Sequence, residues 1–301
     1  MHEHDRLLLM HQAMLGDERR IAAYDRALAR TVRAEDVVVD VGAGLLVLSL
    51  LALRRGARRV YAIEAEPSTA CLAREIVARN RLEDRITVIE EDARLARLPQ
   101  KADVLVADMI GNLGPEDEMA AIVAAVARNN LRPGAPLVPQ RLVTRVQAVE
   151  IASEGWGVWQ DDVCGFSLSA VRELASGGPQ LHVFKRRPRL LSDAAVVADS
   201  RMGESDRSRG GTLALRVKAV GTLHAIIGYF TAILTPGIEL SNFPSYPGCS
   251  RAVCVWPMRY ADVVPGDEIR VEVHRPTDIR TPTTACGRRG EAVATSAATF
   301  Q

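Results

Sequence analysis

The stretch Val37-Val-Val-Asp40-Val-Gly42-Ala-Gly44-Leu45-Leu46 decides how this chain folds. A β-branched run ends there in a Gly-x-Gly turn, and Leu46–Arg54 continues with helical spacing. Working outward, the same alternation repeats. Short runs at Val60–Glu64, Ile86–Ile89 and Val104–Ala107 alternate with helical stretches at Ser68–Asn80 and Asp117–Asn129. Strands and helices alternating at this period predict βαβ units and a doubly wound parallel sheet. Ahead of the sheet, Arg6–Met14 and Asp17–Thr31 read as amphipathic helices.

After Leu131-Arg-Pro-Gly the texture changes. Strand-like runs at Leu142–Ile151, Leu213–Val220, Ala225–Leu234, Ala252–Trp256 and Ile269–Val273 are separated by Gly, Pro and Ser, which suits an antiparallel β domain. The polar segment Asp199–Gly211 reads as a surface loop. The expected division is N-terminal helices over 1–32, an α/β domain over 33–138 and an antiparallel β domain over 139–301, with the boundary near Pro139.

Composition excludes several classes. With 38 Lys+Arg against 37 Asp+Glu in 301 residues, the chain carries a formal charge of +1. It lacks the basic excess of a nucleic-acid-coating or membrane-anchoring protein. Its longest apolar stretch, Val41–Leu53, is too short to span a bilayer, and the N-terminus has no signal-peptide pattern. The five cysteines form no Cys-x-x-Cys or Cys/His cluster, so no metal site is expected and the chain reads as cytoplasmic.

The glycine turn carries the chemistry. Gly42 and Gly44 let the backbone turn sharply and approach a ligand, next to the unpaired N–H groups of a helix start. Glu64 ends the next strand, where a carboxylate can accept both ribose hydroxyls of an adenosine. A nicotinamide fingerprint needs a third Gly, but that position is Val47. Asp40, two residues before Gly42, together with Asp92-Ala93 beyond the third strand, favours S-adenosylmethionine (SAM). The pair Leu45-Leu46 stands where SAM loops carry small residues. Leu46 cannot take a positive φ cheaply. Either the loop follows another path, or cofactor binding is weakened or lost.

The block His11-Gln-Ala-Met-Leu-Gly-Asp-Glu-Arg-Arg20-Ile-Ala-Ala-Tyr24 resembles the cofactor-covering helices of the protein arginine methyltransferase family. Val104-Leu-Val-Ala-Asp108-Met-Ile-Gly111 through Asp117-Glu118-Met119 is similar to that family's double-Glu loop, and Leu223–Phe230 to its β-barrel domain. The chain is thus identified as a divergent, bacterial-type member. The resemblance implies a Rossmann-like SAM domain, a β-barrel substrate domain and a homodimer formed through an arm near 156–176. It assigns His11 and Arg20 to SAM, with Arg20 on the methionine carboxylate. It places Asp108 with Asp117 or Glu118 around the acceptor nitrogen, and S-adenosylhomocysteine as the product. A guanidinium is planar and always protonated, so paired carboxylates suit it.

One departure bears on the substrate. The family's Thr-His-Trp positions hold Cys249, Ser250 and Arg251. Arg251 would disfavour a cation beside it and suit a carboxylate. The reading is therefore N-methylation of a guanidine or amine on a small molecule or peptide. The alternative, resting on Leu45 and Leu46, is a catalytically silent dimer with a binding or regulatory role.

Overall fold

A computed structural model describes residues 3–114, 118–151, 162–168, 170, 180–204, 211–243, 251–273 and 282–287. Helices α1 (Glu3–Gly16) and α2 (Glu18–Thr31) precede strand β1 (Val37–Val41), helix α3 (Val47–Arg54) and strand β2 (Arg59–Glu64). Helix α4 (Pro67–Arg79), strands β3 (Ile86–Glu90) and β4 (Val104–Ala107), helix α5 (Met119–Asn130) and strand β5 (Leu137–Val138) complete the α/β half. The five strands lie parallel in the order β3-β2-β1-β4-β5. The chain winds outward from β1 in both directions, so the order reverses between β1 and β4. In such sheets the crevice beyond the carboxyl ends at this point is where ligands bind.

Each sequence pattern has its physical outcome here. β1 is buried at every position, as a central parallel strand covered on both faces must be. α2 buries Arg20, Ala23, Tyr24, Ala27 and Leu28, a stripe at helical spacing, and Asp17 caps it by accepting from the Arg20 N–H at 3.0 Å. The buried Tyr24 hydroxyl donates to the Ala107 carbonyl at 3.0 Å, which fixes α2 over the end of β4.

The second half is antiparallel. Strands Arg141–Glu150 and Gly221–Thr235 pair from Ala225↔Val149 to Ile233↔Arg141, and Val253–Val263 pairs on the far side of Gly221–Thr235. Strands Gly211–Arg216, Glu268–Val273 and Pro282–Gly287 form a separate sheet. Leu215, Ile269 and Val271 share an apolar cluster with Val146, Ile226 and Trp256 of the larger sheet. Both sheets are open among the described residues, and a closed barrel is not seen.

Two sequence expectations change. Asp199–Gly211 is not loop throughout: strand Ala195–Arg201 runs into it and pairs with Arg141–Val146. Its alternating apolar pattern is weak because one face is exposed, as an edge strand allows. The halves also share one core, since Leu142, Phe230, Ala232, Leu234 and Leu240 pack in the same cluster as α2 and β1. A break in texture near Pro139 marks a change of sheet without separating the hydrophobic cores. Residues 156–161 and most of the expected arm lie outside the described residues.

The glycine turn takes the costly path. Gly42 and Gly44 have φ of +68° and +52°, and Leu46 itself sits at φ +67° as the residue before α3. Its side chain is 0% exposed and lies in the main core rather than over the loop. A left-handed L-residue costs roughly 1–2 kcal/mol, whereas burying a Leu side chain contributes roughly 1.5–3 kcal/mol. Burial wins. Replacing Leu46 by Gly is therefore expected to lower stability by about 1–3 kcal/mol and to leave affinity for S-adenosylhomocysteine unchanged. Urea midpoints and titration calorimetry check both halves of that expectation, and a gain in affinity would overturn it.

Candidate functional site

A cavity of about 630 Å³ opens beyond the carboxyl ends of β1, β2 and β4. Met10, His11, Met14 and Leu15 of α1 form one wall, so the N-terminal helices cover the crevice. Gly42, Gly44, Glu64, Asp92, Ala93, Asp108 and Arg251 also line it, as does Arg20. The structure thus brings nearly all sequence-derived candidates together. Asp40 is not on the wall, Glu118 is placed elsewhere, and Asp117 lies outside the described residues.

Glu64 is held before any ligand arrives. One carboxylate oxygen accepts from the Gly44 N–H at 2.8 Å, and the other accepts from the Glu66 N–H at 2.9 Å. The acid ending β2 therefore braces the loop ending β1. A Cβ at Gly42 would meet Met109 Cγ at 2.6 Å, and one at Gly44 would meet the His11 ring at 3.0 Å. Both glycines are needed for φ and for space. Burial lowers the His11 pKa below its ordinary value, against the opposing charge of Glu64. The shift favours the neutral ring, which acts as a wall and adds no further cation to the arginines lining the cavity.

Asp40 supports the site from below. It is 1% exposed, its Oδ2 accepts from the Ser49 hydroxyl at 2.7 Å, and its Oδ1 lacks a partner among the described residues. Burial, the largest effect, pushes its pKa up to about 7, with Ser49 opposing. The folded state thus holds a proton that the unfolded chain releases near pH 4. The stabilisation is complete below the unfolded pKa and is lost as pH rises through the folded one. Stability is expected to fall by about 1.4 kcal/mol per pH unit between those values and then level off. The Asp40→Asn variant should lack this slope. Denaturant midpoints of both proteins between pH 5 and 8 check it.

At the opposite end of the cavity, three charges meet out of water. Arg20 Nε donates to Asp108 Oδ2, and Arg251 Nη2 donates to Asp108 Oδ1 at 2.7 Å. Side-chain exposures are 5% for Arg20, 12% for Arg251 and 4% for Asp108. Arg20 Nη1 also donates to the Met14 carbonyl at 3.0 Å, and Arg251 Nε to the Ile110 carbonyl at 3.0 Å. The Arg251 guanidinium lies 5.8 Å from the centre of the Phe230 ring. Asp108 is thus already engaged by two cations.

Glu118 does not join this group. Its side chain is 70% exposed and pairs with Arg94 at 3.0 Å, while Arg94 also grips Asp92 at 2.8 Å. Arg94 thus ties Glu118 to Asp92, and Glu118 forms no carboxylate pair with Asp108. Helix α5 begins only after Glu118, which has φ +57°, so the chain direction there carries the acid outward.

Sequence reasoning missed the residues that hold the Asp108–Gly114 loop. Buried Asn242 donates through Nδ2 to the Asn112 and Ala252 carbonyls, both at 2.7 Å, and accepts from the Phe230 N–H at 2.8 Å. Thr144 donates to the Leu113 carbonyl. An isolated Asn beyond a strand run and a Thr inside another carry no motif that could have flagged them.

A model described as the TRM5/TYW2 methyltransferase domain matches residues 9–115. Protein arginine N-methyltransferase 1 of Chlamydomonas reinhardtii is 26% identical over 249 residues, covering 79% of this chain and 71% of the relative. A probable protein arginine N-methyltransferase 1.2 of Arabidopsis thaliana is 28% identical over 250 residues, covering 79% and 67%. The Trypanosoma brucei PRMT1 enzyme–prozyme heterotetrameric complex with AdoHcy superposes with a TM-score of 0.76, at 22% identity and 95% coverage of both chains. The chain is a SAM-dependent methyltransferase of class I fold, homologous to the protein arginine methyltransferases.

Proposed function

We propose that this protein transfers a methyl group from SAM to a guanidine or amine nitrogen of a small molecule or peptide. The observation that carries the cofactor assignment is Glu64, anchored on the Gly44 N–H at the carboxyl end of β2 and facing the cavity. Its carboxylate is oriented to accept ribose hydroxyls, and Arg20 offers the guanidinium that a methionine carboxylate matches bidentately. Asp92 and Ala93 line the end suited to adenine. The cavity volume falls within the range of small-ligand pockets. Gly42 and Gly44 allow close backbone approach there.

The bound cofactor supplies an electrophilic methyl group on a sulfonium. The chain's own part is to hold the nucleophile in line and to exclude water. Asp108 organises the acceptor end through Arg251 and the tethered Ile110–Asn112 segment. Leu46, which motivated the catalytically silent reading, is buried away from the cavity, and Leu45 alone of that pair lines it. We also infer a homodimer. Leu8, Leu9, Met10 and Leu15 of α1 are exposed apolar side chains. Among the described residues, no helix is long and apolar enough to cross a membrane; we infer a cytoplasmic location.

Titration calorimetry tests the assignment. SAM and S-adenosylhomocysteine should give saturable heats with the native chain, and NAD should give none. Absence of heat with both sulfur ligands would sink it.

A further inference from the structure

The acceptor end of the cavity takes its walls from both halves of the molecule. Asp108, Ile110, Gly111 and Asn112 belong to the loop after β4, whereas Arg251 belongs to the segment entering strand Val253–Val263. No strand pairing joins these two segments among the described residues. Their spacing is left to side chains.

The antiparallel sheet is interrupted where the loop reaches it. Strand Gly221–Thr235 pairs with Val253–Val263 as far as Gly228↔Cys254, and with Ile238–Ser241 from Thr231↔Ser241 onward. Tyr229 and Phe230 fall between these two partners. At Phe230, side chains take the place of a strand. Asn242 Oδ1 accepts from the Phe230 N–H at 2.8 Å, and the Ser241 hydroxyl donates to the Phe230 carbonyl. Gly114 closes over this point at φ +102°, where a Cβ would lie 3.0 Å from the Phe230 Cβ.

The same Asn242 amide reaches both walls. Its Nδ2 donates to the Asn112 carbonyl on one side and to the Ala252 carbonyl, next to Arg251, on the other, both at 2.7 Å. One acceptor and two donors in a single short planar group are an amide's inventory: a carboxylate lacks the donors, and a hydroxyl has one. Asn242 is 1% exposed, so water does not stand in for a lost bond. The bond from Arg251 Nε to the Ile110 carbonyl at 3.0 Å crosses the same gap and therefore reports its width.

We propose that Asn242 is the positioning residue of the acceptor end, setting the spacing between the Asp108–Asn112 wall and the Arg251 wall. Its three bonds reach neither the glycine turn nor Glu64 nor Asp92, so the cofactor end does not depend on it. This rests on the methyl-transfer reading of the cavity, but it concerns the acceptor walls alone.

Solvent exchange of arginine Nε–Hε protons, read by NMR, tests it, with resonances assigned from Arg251→Lys and Arg55→Lys spectra. Asn242→Asp keeps the size of the side chain but sets an acceptor against two carbonyls. Asn242→Ser drops a donor without adding charge, and decides the matter alone if the Asp form does not fold. In both, exchange at Arg251 should quicken about tenfold or more. Arg55 Nε, bonded to Asp25 at 2.8 Å outside the cavity lining, is the reference and should keep its native rate. Calorimetry should show unchanged affinity for S-adenosylhomocysteine. A merely structural role would quicken both arginines and weaken the ligand; that result overturns the proposal, as does an unchanged Arg251 rate in either folded variant. If S-adenosylhomocysteine fails to bind the native protein, the cofactor reading falls, while the contrast between Arg251 and Arg55 still decides the role of Asn242.

Discussion

Replacing Asp108 by Asn is expected to destabilise the protein by about 3–5 kcal/mol, and adding Arg251→Met to that variant should return part of the loss. The reasoning follows from the buried charges. Asn keeps the shape of Asp but removes the negative charge that Arg20 and Arg251 share, leaving both buried guanidinium groups facing a neutral amide at that position. Removing one partner of a buried pair is costly because the other charge remains desolvated. Arg251→Met then removes one of the stranded charges while keeping much of the apolar bulk over Phe230. Additive losses would mean that the three groups do not act together. Function should divide in a way that stability does not. The affinity for S-adenosylhomocysteine should hold or rise, since Asn no longer competes for Arg20, whereas methyl transfer should fall by about 10²-fold or more. Chemical denaturation, calorimetry and mass-spectrometric methyl transfer give the three readouts. Weaker cofactor binding with transfer intact would reverse the assignment of Asp108.

The parts of this molecule written in local pattern were legible before any coordinates. The β1–β4 runs, α2 and the Gly42–Gly44 turn each obey a period or a conformational rule that a few consecutive residues express. Glu64 and Asp92 were legible for the same reason, because their place is fixed by where a strand ends. What was hidden depends on contacts between distant parts. Arg20 meets Asp108 across 88 positions, and Arg251 meets it across 143. The sequence could suggest that Arg251 stands near the acceptor, yet only the fold shows it seated on Asp108. Leu46 was misread for a related reason. Its positive φ was judged by local cost alone, while the deciding term is burial in a core built from residues far along the chain. Glu118 is exposed and paired with Arg94, a contact between distant parts that no local pattern expresses.

The second large effect is expected at Glu64, where replacement by Gln should weaken S-adenosylhomocysteine binding by about 10²-fold. Two backbone N–H groups approach different oxygens of this carboxylate, Gly44 at 2.8 Å and Glu66 at 2.9 Å. A carboxylate can accept at both ends, whereas an amide must present its own NH₂ to one of them. Gln therefore leaves one backbone donor facing another donor and loosens the turn that lets the ligand approach. It also removes the charge that strengthens hydrogen bonds from ribose hydroxyls, each charge-assisted bond contributing roughly 1.5–3 kcal/mol. The two losses act on the same ligand and should appear as reduced affinity with the parallel sheet intact. Glu64→Asp separates them: it keeps the charge, but its shorter side chain cannot span both N–H groups, so an intermediate loss is expected. Calorimetry across the native, Asp and Gln forms should rank in that order. Equal affinity for all three would show that the cofactor's ribose is held elsewhere and would remove the main support for the site.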